Sequence, residues 1–320
     1  MIKTVASVSL PVLEKLEIKK NRIESGTDQK KKRISIVTGI HGDELEGQYV
    51  CFELSRRLQE HLECLNGIVD IYPAMNPLGI DSITREIPAF DLDMNRVFPG
   101  NEDGSMTEYV AAKIVEDLVG SDLCIDIHAS NIFLTEIPQV RINELHTKTL
   151  VPFAEKLNVD LIWIHGSSTV LESTLAYSLN SRNTPTLVVE MGVGMRITKS
   201  YCAQLVNGIF SVMKDMDMWS GPTESVCTPM IARGEDAVCF LNAPIAGIFI
   251  SQAKHGDFLQ DGDPIGMIVD PLKGIILERL KAPTAGILFT IREYPVVDEG
   301  SLIARILKRT GRKDENGNDI

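Results

Sequence analysis

The sequence predicts an α/β protein, in which a mixed sheet is flanked by helices and followed by a smaller all-β region. Up to about residue 222, short apolar runs alternate with stretches whose apolar residues recur at helical spacing. This alternation is typical of helices packed on a largely parallel or mixed sheet. After residue 222 short segments of alternating polarity take over, and one six-residue segment occurs twice. We therefore expect a first domain over 1–222, an all-β domain over 223–311 and a polar, disordered tail over 312–320.

The elements of the first domain follow from local patterns. Residues 1–33 are expected to add a hairpin at the edge of the sheet. Apolar, β-branched runs bounded by glycine or polar residues predict strands near 34–40, 67–72, 122–127, 160–165 and 185–190. Apolar residues spaced three and four apart predict helices near 45–62, 105–119, 144–157 and 198–217.

A pseudo-repeat predicts the all-β domain. The segment APIAGI at 243–248 recurs as APTAGI at 282–287, and each copy leads to a glycine, Gly262 or Gly300, and then to alternating apolar residues. Two similar halves built from short strands indicate a small, self-paired unit. This region resembles the barrel-sandwich hybrid of biotinyl and lipoyl carriers, in which two such halves interlock.

Composition limits the classes of partner and compartment. The formal net charge of −12 argues against nucleic acid or an anionic membrane surface as the main partner. No apolar segment is long enough to cross a bilayer, and the N-terminus lacks the apolar core of a signal peptide, so we expect a cytoplasmic protein. The six cysteines form no Cys-x-x-Cys pair and are expected to be reduced packing residues.

Polar residues with metal-binding chemistry follow three of the predicted strands. His41 and Glu44 lie on the turn after the first of them, His128 ends another, and Glu190 ends a third. In open α/β sheets the ligand crevice lies outside the carboxyl ends of the strands, so these side chains are expected to face a common space. Two side chains three residues apart on such a turn can converge on one ion.

These residue types suit a catalytic zinc. Such an ion takes three protein ligands, and two histidines with one carboxylate are a common set. The metal lowers the pKa of its bound water to about 7 and polarises a carbonyl, and a second carboxylate can then act as general base. We therefore assign one Zn²⁺ per chain to His41, Glu44 and His128, and proton transfer to Glu190. Asp126, on the same side of its strand as His128, is a candidate to orient that imidazole.

Structural explanations exist for each residue taken alone. His-x-x-Glu arises often by chance, His128 is compatible with a buried core histidine, and Glu190 with a pairing or capping role. Their joint placement at strand ends favours the metal site. The sequence has no Gly-x-Ser-x-Gly elbow and no Walker loop, so serine hydrolases and P-loop enzymes lack their starting feature.

A polar segment over 76–100 adds substrate-binding candidates. Its glycines, prolines and aspartates predict an ordered loop rather than a helix or strand. It carries Arg85, Asn95 and Arg96, and a guanidinium group on such a loop can bind a carboxylate bidentately or stabilise an oxyanion. The alternative is that Arg96 pairs with Asp91 or Asp93 and only folds the loop.

The motifs together resemble the succinylglutamate desuccinylase/aspartoacylase family, within the wider zinc carboxypeptidase superfamily. The residues that carry the resemblance are HGxExxG at 41–47, NP at 76–77, DxNRxFPG at 93–100, DxH at 126–128 and Glu190. The motifs occur in the family's order, and the resemblance covers roughly residues 30–220.

The resemblance implies a zinc carboxypeptidase-like fold and a role for each matched position. His41, Glu44 and His128 would hold zinc, Glu190 would be the general base, and Asn95 with Arg96 would bind the substrate's carboxylate. An upstream arginine polarises the scissile carbonyl in these enzymes, and Arg85 is the nearest candidate, although its offset from Arg96 differs from that in aspartoacylase proper. Segment 129–141 departs from the two named enzymes, and its Glu136 or Arg141 would either set specificity or form a surface pair.

The resulting hypothesis is a zinc-dependent amidohydrolase that removes a small acyl group from an N-acyl amino acid or a related amine. Glu190 would deprotonate the zinc-bound water, Arg85 and zinc would hold the oxyanion, and Glu190 would protonate the departing amine. A carboxypeptidase acting on short peptides is the alternative within the same catalytic class.

Two alternatives come from another functional class. In the first, the β domain is a carrier whose Lys273 is modified on an exposed hairpin over 270–274, although that segment lacks the Met-Lys-Met or Asp-Lys-Ala context. In the second, the chain is a degenerate binding protein, which is disfavoured because all four catalytic positions are filled. We expect the β domain to cover one side of the active-site mouth or to form an oligomer contact, so a homo-oligomer is compatible with the sequence.

Overall fold

The computed structural model of the chain describes residues 1–26, 31–88, 90–166 and 172–308, so the predicted tail over 312–320 lies outside the described residues. The helices are α1 Glu46–Glu60, α2 Pro77–Ser82, α3 Met106–Leu118, α4 Thr147–Ala154, α5 Leu175–Asn180 and α6 Lys199–Asp215. The strands of the first part are β1 Ile2–Ser9, β2 Lys15–Ser25, β3 Arg33–Thr38, β4 Gly67–Tyr72, β5 Leu123–Ala129, β6 Leu134–Asn143, β7 Leu161–His165 and β8 Thr186–Gly192. They are followed by β9 Met230–Arg233, β10 Val238–Asn242, β11 Gly247–Ser251, β12 Phe258–Leu259, β13 Pro264–Asp270, β14 Ile275–Lys281, β15 Gly286–Arg292, β16 Val296–Val297 and β17 Leu302–Lys308.

A large mixed sheet forms the centre of the molecule. Strands β4, β3, β5 and β8 run parallel to one another in that order. At one side β1 and β2 form an antiparallel hairpin that pairs with β4, so the edge hairpin predicted for residues 1–33 is confirmed. At the other side β6 joins β8 antiparallel. The predicted fold class, a mixed sheet flanked by helices, is confirmed.

Helices cover both faces of this sheet because each presents one apolar side. Val50, Leu54 and Leu58 of α1 are fully buried on one face, together with residues of α6. On the opposite face Val110 and Ile114 of α3 pack with residues of α5 and of β1 and β2. Each such fully buried aliphatic side chain contributes about 1.5–3 kcal/mol relative to an exposed one. These two layers hold the carboxyl ends of β3, β5 and β8 in place.

Three elements of the first part of the chain differ from the sequence-based expectation, and one of them is helix α5, which had not been predicted. The segment after Asn76 forms α2 where we predicted a loop, because the Asn76 side chain accepts a hydrogen bond from the Gly79 N–H and Pro77 occupies the first helical position. Strand β6 had not been predicted. Pro138 interrupts its pattern, and both of its faces are buried, so its polarity does not alternate.

The C-terminal strands form part of both sheets. β15 pairs antiparallel with β6, β17 pairs with β15, and β10 pairs with β17, so these strands extend the large sheet. Strands β14, β13, β11 and β16 form a separate antiparallel sheet. The two copies of the pseudo-repeat lead into β11 and β15. The division of the chain at residue 222 stays a proposal.

The predicted hairpin around Lys273 is present as the turn between β13 and β14. The Lys273 Nζ atom lies 3.4 Å from the Asp270 Oδ2 atom, and this ion pair is exposed on the lysine side. All six cysteines are free thiols, and those at positions 51, 124 and 202 are buried. None of the helices in the described ranges has the length and apolar character needed to span a membrane.

Candidate active site and metal centre

The candidate site lies at the carboxyl ends of β3, β5 and β8. After β3, Gly39 has φ +69°, a conformation that favours glycine, and this lets the chain turn toward His41. Gly42 packs so closely against α2 that a Cβ atom there would overlap the backbone of Gly79. His128 and Glu190 are register partners on adjacent parallel strands. The turn and the register together bring the predicted residues to one edge of the sheet.

Three of these residues converge on one point. One nitrogen from each of His41 and His128 and one oxygen of Glu44 lie within 4.8 Å of one another. His41 Nδ1 is 2.6 Å from Glu44 Oε1, and His128 Nδ1 is 2.9 Å from Glu44 Oε2. All three residues are buried. Residues that the sequence spreads from position 41 to position 128 are therefore contiguous in space.

A carboxylate lies behind each imidazole. His41 Nε2 is 3.1 Å from Asp93 Oδ1, and His128 Nε2 is 3.2 Å from Asp126 Oδ2. Although Asp126 Oδ2 lies close to His128 Nε2, these two atoms do not form a hydrogen bond. Both rings thus direct Nδ1 toward Glu44 and Nε2 toward an aspartate, an arrangement that fixes the orientation of metal-binding histidines. Asp126 had been proposed from the sequence for this role, whereas Asp93 had not.

The charged groups of the cluster shift one another's pKa values. Burial alone would raise the pKa of Glu44, but the imidazoles of His128 and His41 outweigh burial and lower that pKa to about 2. Burial acts in the opposite sense on the imidazoles and would lower their pKa values. Glu44 and Asp93 outweigh burial at His41 and raise its pKa, and Asp126 and Glu44 raise the pKa of His128 well above the usual range. Each group of the cluster therefore favours the charged form of its neighbours.

The donor set fits a divalent metal ion. Two imidazole nitrogens and one carboxylate oxygen, without a thiolate, are the ligands of many catalytic zinc sites. Here they face one another in a buried space, and the two aspartates behind the rings supply the outer acceptors that such sites use. A cation bound there would compete with protons for the two ring nitrogens.

Glu190 stands beside this cluster. Its side chain is 16% exposed and forms an ion pair with Arg141, whose Nη1 atom lies 3.3 Å from Glu190 Oε1. Burial raises the pKa of Glu190, and the opposing effects of Arg141 and His128 do not cancel that rise. A carboxylate whose pKa is moved toward neutrality is better suited to accept and return a proton.

An open pocket of about 230 Å³ adjoins these groups. Among its lining residues are most of those selected from the sequence, namely His41, Arg85, Asn95, Arg96, His128 and Glu190. Glu44 lines a second cavity that shares His41, Arg85, Arg141 and Glu190 with the first. The structure thus places all seven predicted site residues around two cavities that share four lining residues.

The loop arginines have different partners. Arg85 donates from Nη1 to Glu44 Oε1 at 3.1 Å and from Nη2 to Asp93 Oδ2 at 3.3 Å. Arg96 instead donates to the backbone carbonyl of Asn95 at 2.8 Å. Asp93 therefore pairs with Arg85 and His41, and the alternative in which it pairs with Arg96 is not what the structure has. The Asn95 side-chain oxygen accepts from the Leu175 N–H at 2.9 Å, which joins the loop to α5.

A comparison with known families decides the affiliation of the chain. The model of the succinylglutamate desuccinylase/aspartoacylase catalytic domain matches residues 30–216. This chain belongs to the succinylglutamate desuccinylase/aspartoacylase family. The resemblance inferred from the motifs is therefore confirmed, and the matched range includes every residue of the histidine–glutamate cluster together with Glu190.

Relatives of this family member extend the likeness beyond the catalytic domain. The chain is 26% identical over 275 residues to the N-alpha-acetyl-L-2,4-diaminobutyric acid deacetylase of Halomonas elongata, covering 84% of this chain and 80% of that protein. A crystal structure of a succinylglutamate desuccinylase/aspartoacylase from Rhodobacter sphaeroides is 25% identical, with a TM-score of 0.79 over 95% of this chain and 94% of that one. The product-bound ectoine utilization protein EutE (DoeB) of Ruegeria pomeroyi has the same fold, with 20% identity and a TM-score of 0.79 over 94% and 92% of the two chains. These names support a deacylase, and the coverage confirms the predicted fold.

Sequence reasoning missed part of the surroundings of Glu190. The arginine next to it, Arg141, and the buried Glu136 had been considered only as specificity or surface residues, and Arg305 of β17 had not been considered. A charged residue inside an apolar strand is the available signal, because such a residue needs a buried partner. Arg305 between Ala304 and Ile306 has that signal, but nothing in the sequence identifies its partner.

Proposed function

We propose that this family member is a zinc-dependent amidohydrolase that removes a small acyl group from an N-acyl amino acid or a related amine. The observation that carries the proposal is the convergence of His41, Glu44 and His128 within 4.8 Å beside the pocket that Glu190 lines. A binding protein would have no need of a buried three-donor cluster next to a carboxylate whose pKa is raised.

One zinc ion per chain would be held by His41, Glu44 and His128. When bound, it would supply Lewis acidity toward the acyl carbonyl and lower the pKa of water in the site. Asp93 and Asp126 would keep the two rings oriented for it, because each lies within 3.2 Å of an Nε2 atom.

Glu190 would move the proton. Its carboxylate would accept a proton from the attacking water as the oxygen bonds to the acyl carbon. When the C–N bond breaks, the same carboxylate would return that proton to the amine nitrogen, so that the products are a carboxylic acid and an amine. The pKa of Glu190 is raised by burial, which favours both halves of this transfer.

The arginines Arg85 and Arg96 would bind or stabilise negatively charged groups of the substrate. Arg85 lies against Glu44 and lines the pocket, which suits it to stabilise the oxyanion that develops on the acyl carbonyl. Arg96 lines the same pocket, and within the described ranges no carboxylate pairs with its guanidinium group. Together with Asn95 it would anchor a carboxylate of the substrate.

The substrate class follows from the pocket and from the relative's name. Arg96 lines the pocket and pairs with no carboxylate in the described part of the chain, so a substrate with at least one carboxylate is favoured. The Halomonas elongata relative is a deacetylase of an N-acetylated amino acid, which makes the acetyl group the first acyl group to test.

A hydrolysis screen tests this proposal. Purified, zinc-loaded protein is expected to release free amine from at least one of the N-acetyl, N-succinyl and N-formyl amino acid series, and N-acetyl-L-2,4-diaminobutyrate belongs in the first panel. Chelation of the metal is expected to stop the reaction, and added zinc to restore it. Turnover of short peptides alone would replace the proposal by the carboxypeptidase alternative, and zinc-loaded protein inactive on every panel would contradict it.

Zinc binding is expected to release protons near neutral pH. The pKa values of both imidazoles are raised by their carboxylate neighbours, and a ring must give up its proton before its nitrogen can bind zinc. Affinity for zinc is therefore expected to increase as the pH rises from about 6 to about 8. Titration calorimetry in buffers of different ionisation enthalpy measures the number of protons released. An affinity that stays constant over this pH range would contradict the ligand assignment.

A further inference from the structure

We propose that Glu136 and Arg305 are positioning residues for Arg141, and that through Arg141 they keep the Glu190 carboxylate available for proton transfer. This inference rests on the proposed function and adds a second layer to it. The C-terminal strand β17 would then contribute a residue, Arg305, that positions a side chain of the active site. Its role would go beyond covering the mouth of the site.

Glu136 is the centre of a buried charge network. Its carboxylate accepts hydrogen bonds from Arg141 Nη2 at 3.0 Å, from Thr290 Oγ1 at 3.1 Å and from Arg305 Nη1 at 2.5 Å. These donors come from three strands, β6, β15 and β17, and the Glu136 side chain is 1% exposed. A carboxylate buried this deeply requires such partners, so the alternative of a surface pair does not apply.

Arg141 divides its guanidinium group between two carboxylates. Its Nη2 atom binds Glu136, and its Nη1 atom lies 3.3 Å from Glu190 Oε1. The ring of Trp163 lies next to both guanidinium groups, with the Cζ atoms of Arg141 and Arg305 5.7 Å and 5.8 Å from the ring centre. Arg141 therefore contacts Glu190 through only one of its two Nη atoms.

This division matters because a planar guanidinium group prefers to bind one carboxylate with two parallel hydrogen bonds. Without a negative charge at Glu136, Arg141 would bind Glu190 through both of its Nη atoms. Both oxygens of the Glu190 carboxylate would then accept hydrogen bonds from Arg141. Without Arg305, Glu136 would instead draw Arg141 toward itself and away from Glu190. The two acids and two guanidinium groups thus hold Arg141 at an intermediate position between Glu136 and Glu190.

The test compares kcat with KM in variants that leave the metal ligands intact. For the N-acetyl amino acid that the wild type hydrolyses fastest, Glu136→Gln is expected to lower kcat about 10- to 100-fold, the range for a lost hydrogen bond to a charged group. KM is expected to change less than about threefold, and zinc content to stay unchanged. Arg305→Met is expected to lower kcat about 10-fold, with Arg305→Lys recovering most of it. Arg279→Met, at an exposed position of β14, is the matched control and is expected to behave as the wild type.

A second measurement does not depend on activity. In a crystal structure of Glu136→Gln, Arg141 is expected to contact Glu190 through both Nη atoms. Should that variant fail to fold, Thr290→Val removes one neutral donor from Glu136 and is expected to lower kcat about two- to fivefold. A wild-type kcat in folded, zinc-loaded Glu136→Gln and Arg305→Met, or an unmoved Arg141, would overturn the inference. A wild type inactive on every N-acyl substrate would instead overturn the proposed function, and the crystal structure would still decide the position of Arg141.

Discussion

Glu190→Gln is expected to retain about one zinc per chain and to lose amide hydrolysis by at least about 10³-fold. The amide keeps the size of the side chain but cannot accept a proton from water or return one to the amine. Metal binding is expected to survive, because Glu190 is not a member of the cluster formed by His41, Glu44 and His128. Metal analysis and initial rates on the same preparation measure both quantities.

The matched control for this variant is Glu116→Gln. It makes the same chemical change on the exposed side of α3, where Glu116 pairs with Lys113 on the surface. Zinc content and turnover are both expected to equal those of the wild type. Undiminished hydrolysis by Glu190→Gln would remove Glu190 from the mechanism, whereas loss of zinc in that variant would move it into the metal site.

The site could be predicted from the sequence because its residues follow strands with strong local patterns. β3, β5 and β8 are apolar and β-branched, and parallel strands present their carboxyl ends on one side. His41, His128 and Glu190 therefore had to lie near one another once the strands were adjacent. The distances and the burial of the cluster depend on packing that the sequence does not specify locally.

The surroundings of Glu190 could not be predicted in the same way. Strand β6 carries Glu136 and Arg141. Because it contains Pro138 and is buried on both faces, its sequence lacks the alternation of polar and apolar residues that marks a strand. The partner of Glu136 is Arg305, which is 169 residues away and reaches it only because β15 pairs with β6 and β17 with β15. Antiparallel pairing between strands so distant along the chain depends on the whole fold and not on a local motif.

Asp93 shows another limit of prediction from the sequence, which is the choice among several nearby partners. The sequence placed it correctly in a polar segment beside Arg96, and its charge suggested that arginine as a partner. In the structure the Asp93 carboxylate faces His41 Nε2 and Arg85, and the backbone N–H of Asn95 donates to it. A carboxylate two or three residues from an arginine has several candidate partners of similar energy, and only the fold decides among them.

His128→Ala is expected to abolish stoichiometric zinc binding and, with it, hydrolysis. The substitution removes one of three donors, and it leaves Glu44 and Asp126 buried without the ring that lies between them. The free energy of unfolding is expected to fall by about 1–3 kcal/mol, because two buried carboxylates lose a partner. Circular dichroism would show whether the fold is retained, and equilibrium dialysis with zinc would give the occupancy.

His165→Ala is the matched control for that loss. His165 lines the same pocket as His128, but it is not one of the three residues that converge within 4.8 Å. If the metal is held by His41, Glu44 and His128, His165→Ala retains about one zinc per chain and His128→Ala retains almost none. Stoichiometric zinc in His128→Ala would refute the assignment, since a site with only His41 and Glu44 has lost a third of its protein ligands. Loss of zinc in both variants would mean that the ion lies deeper in the pocket than the cluster indicates.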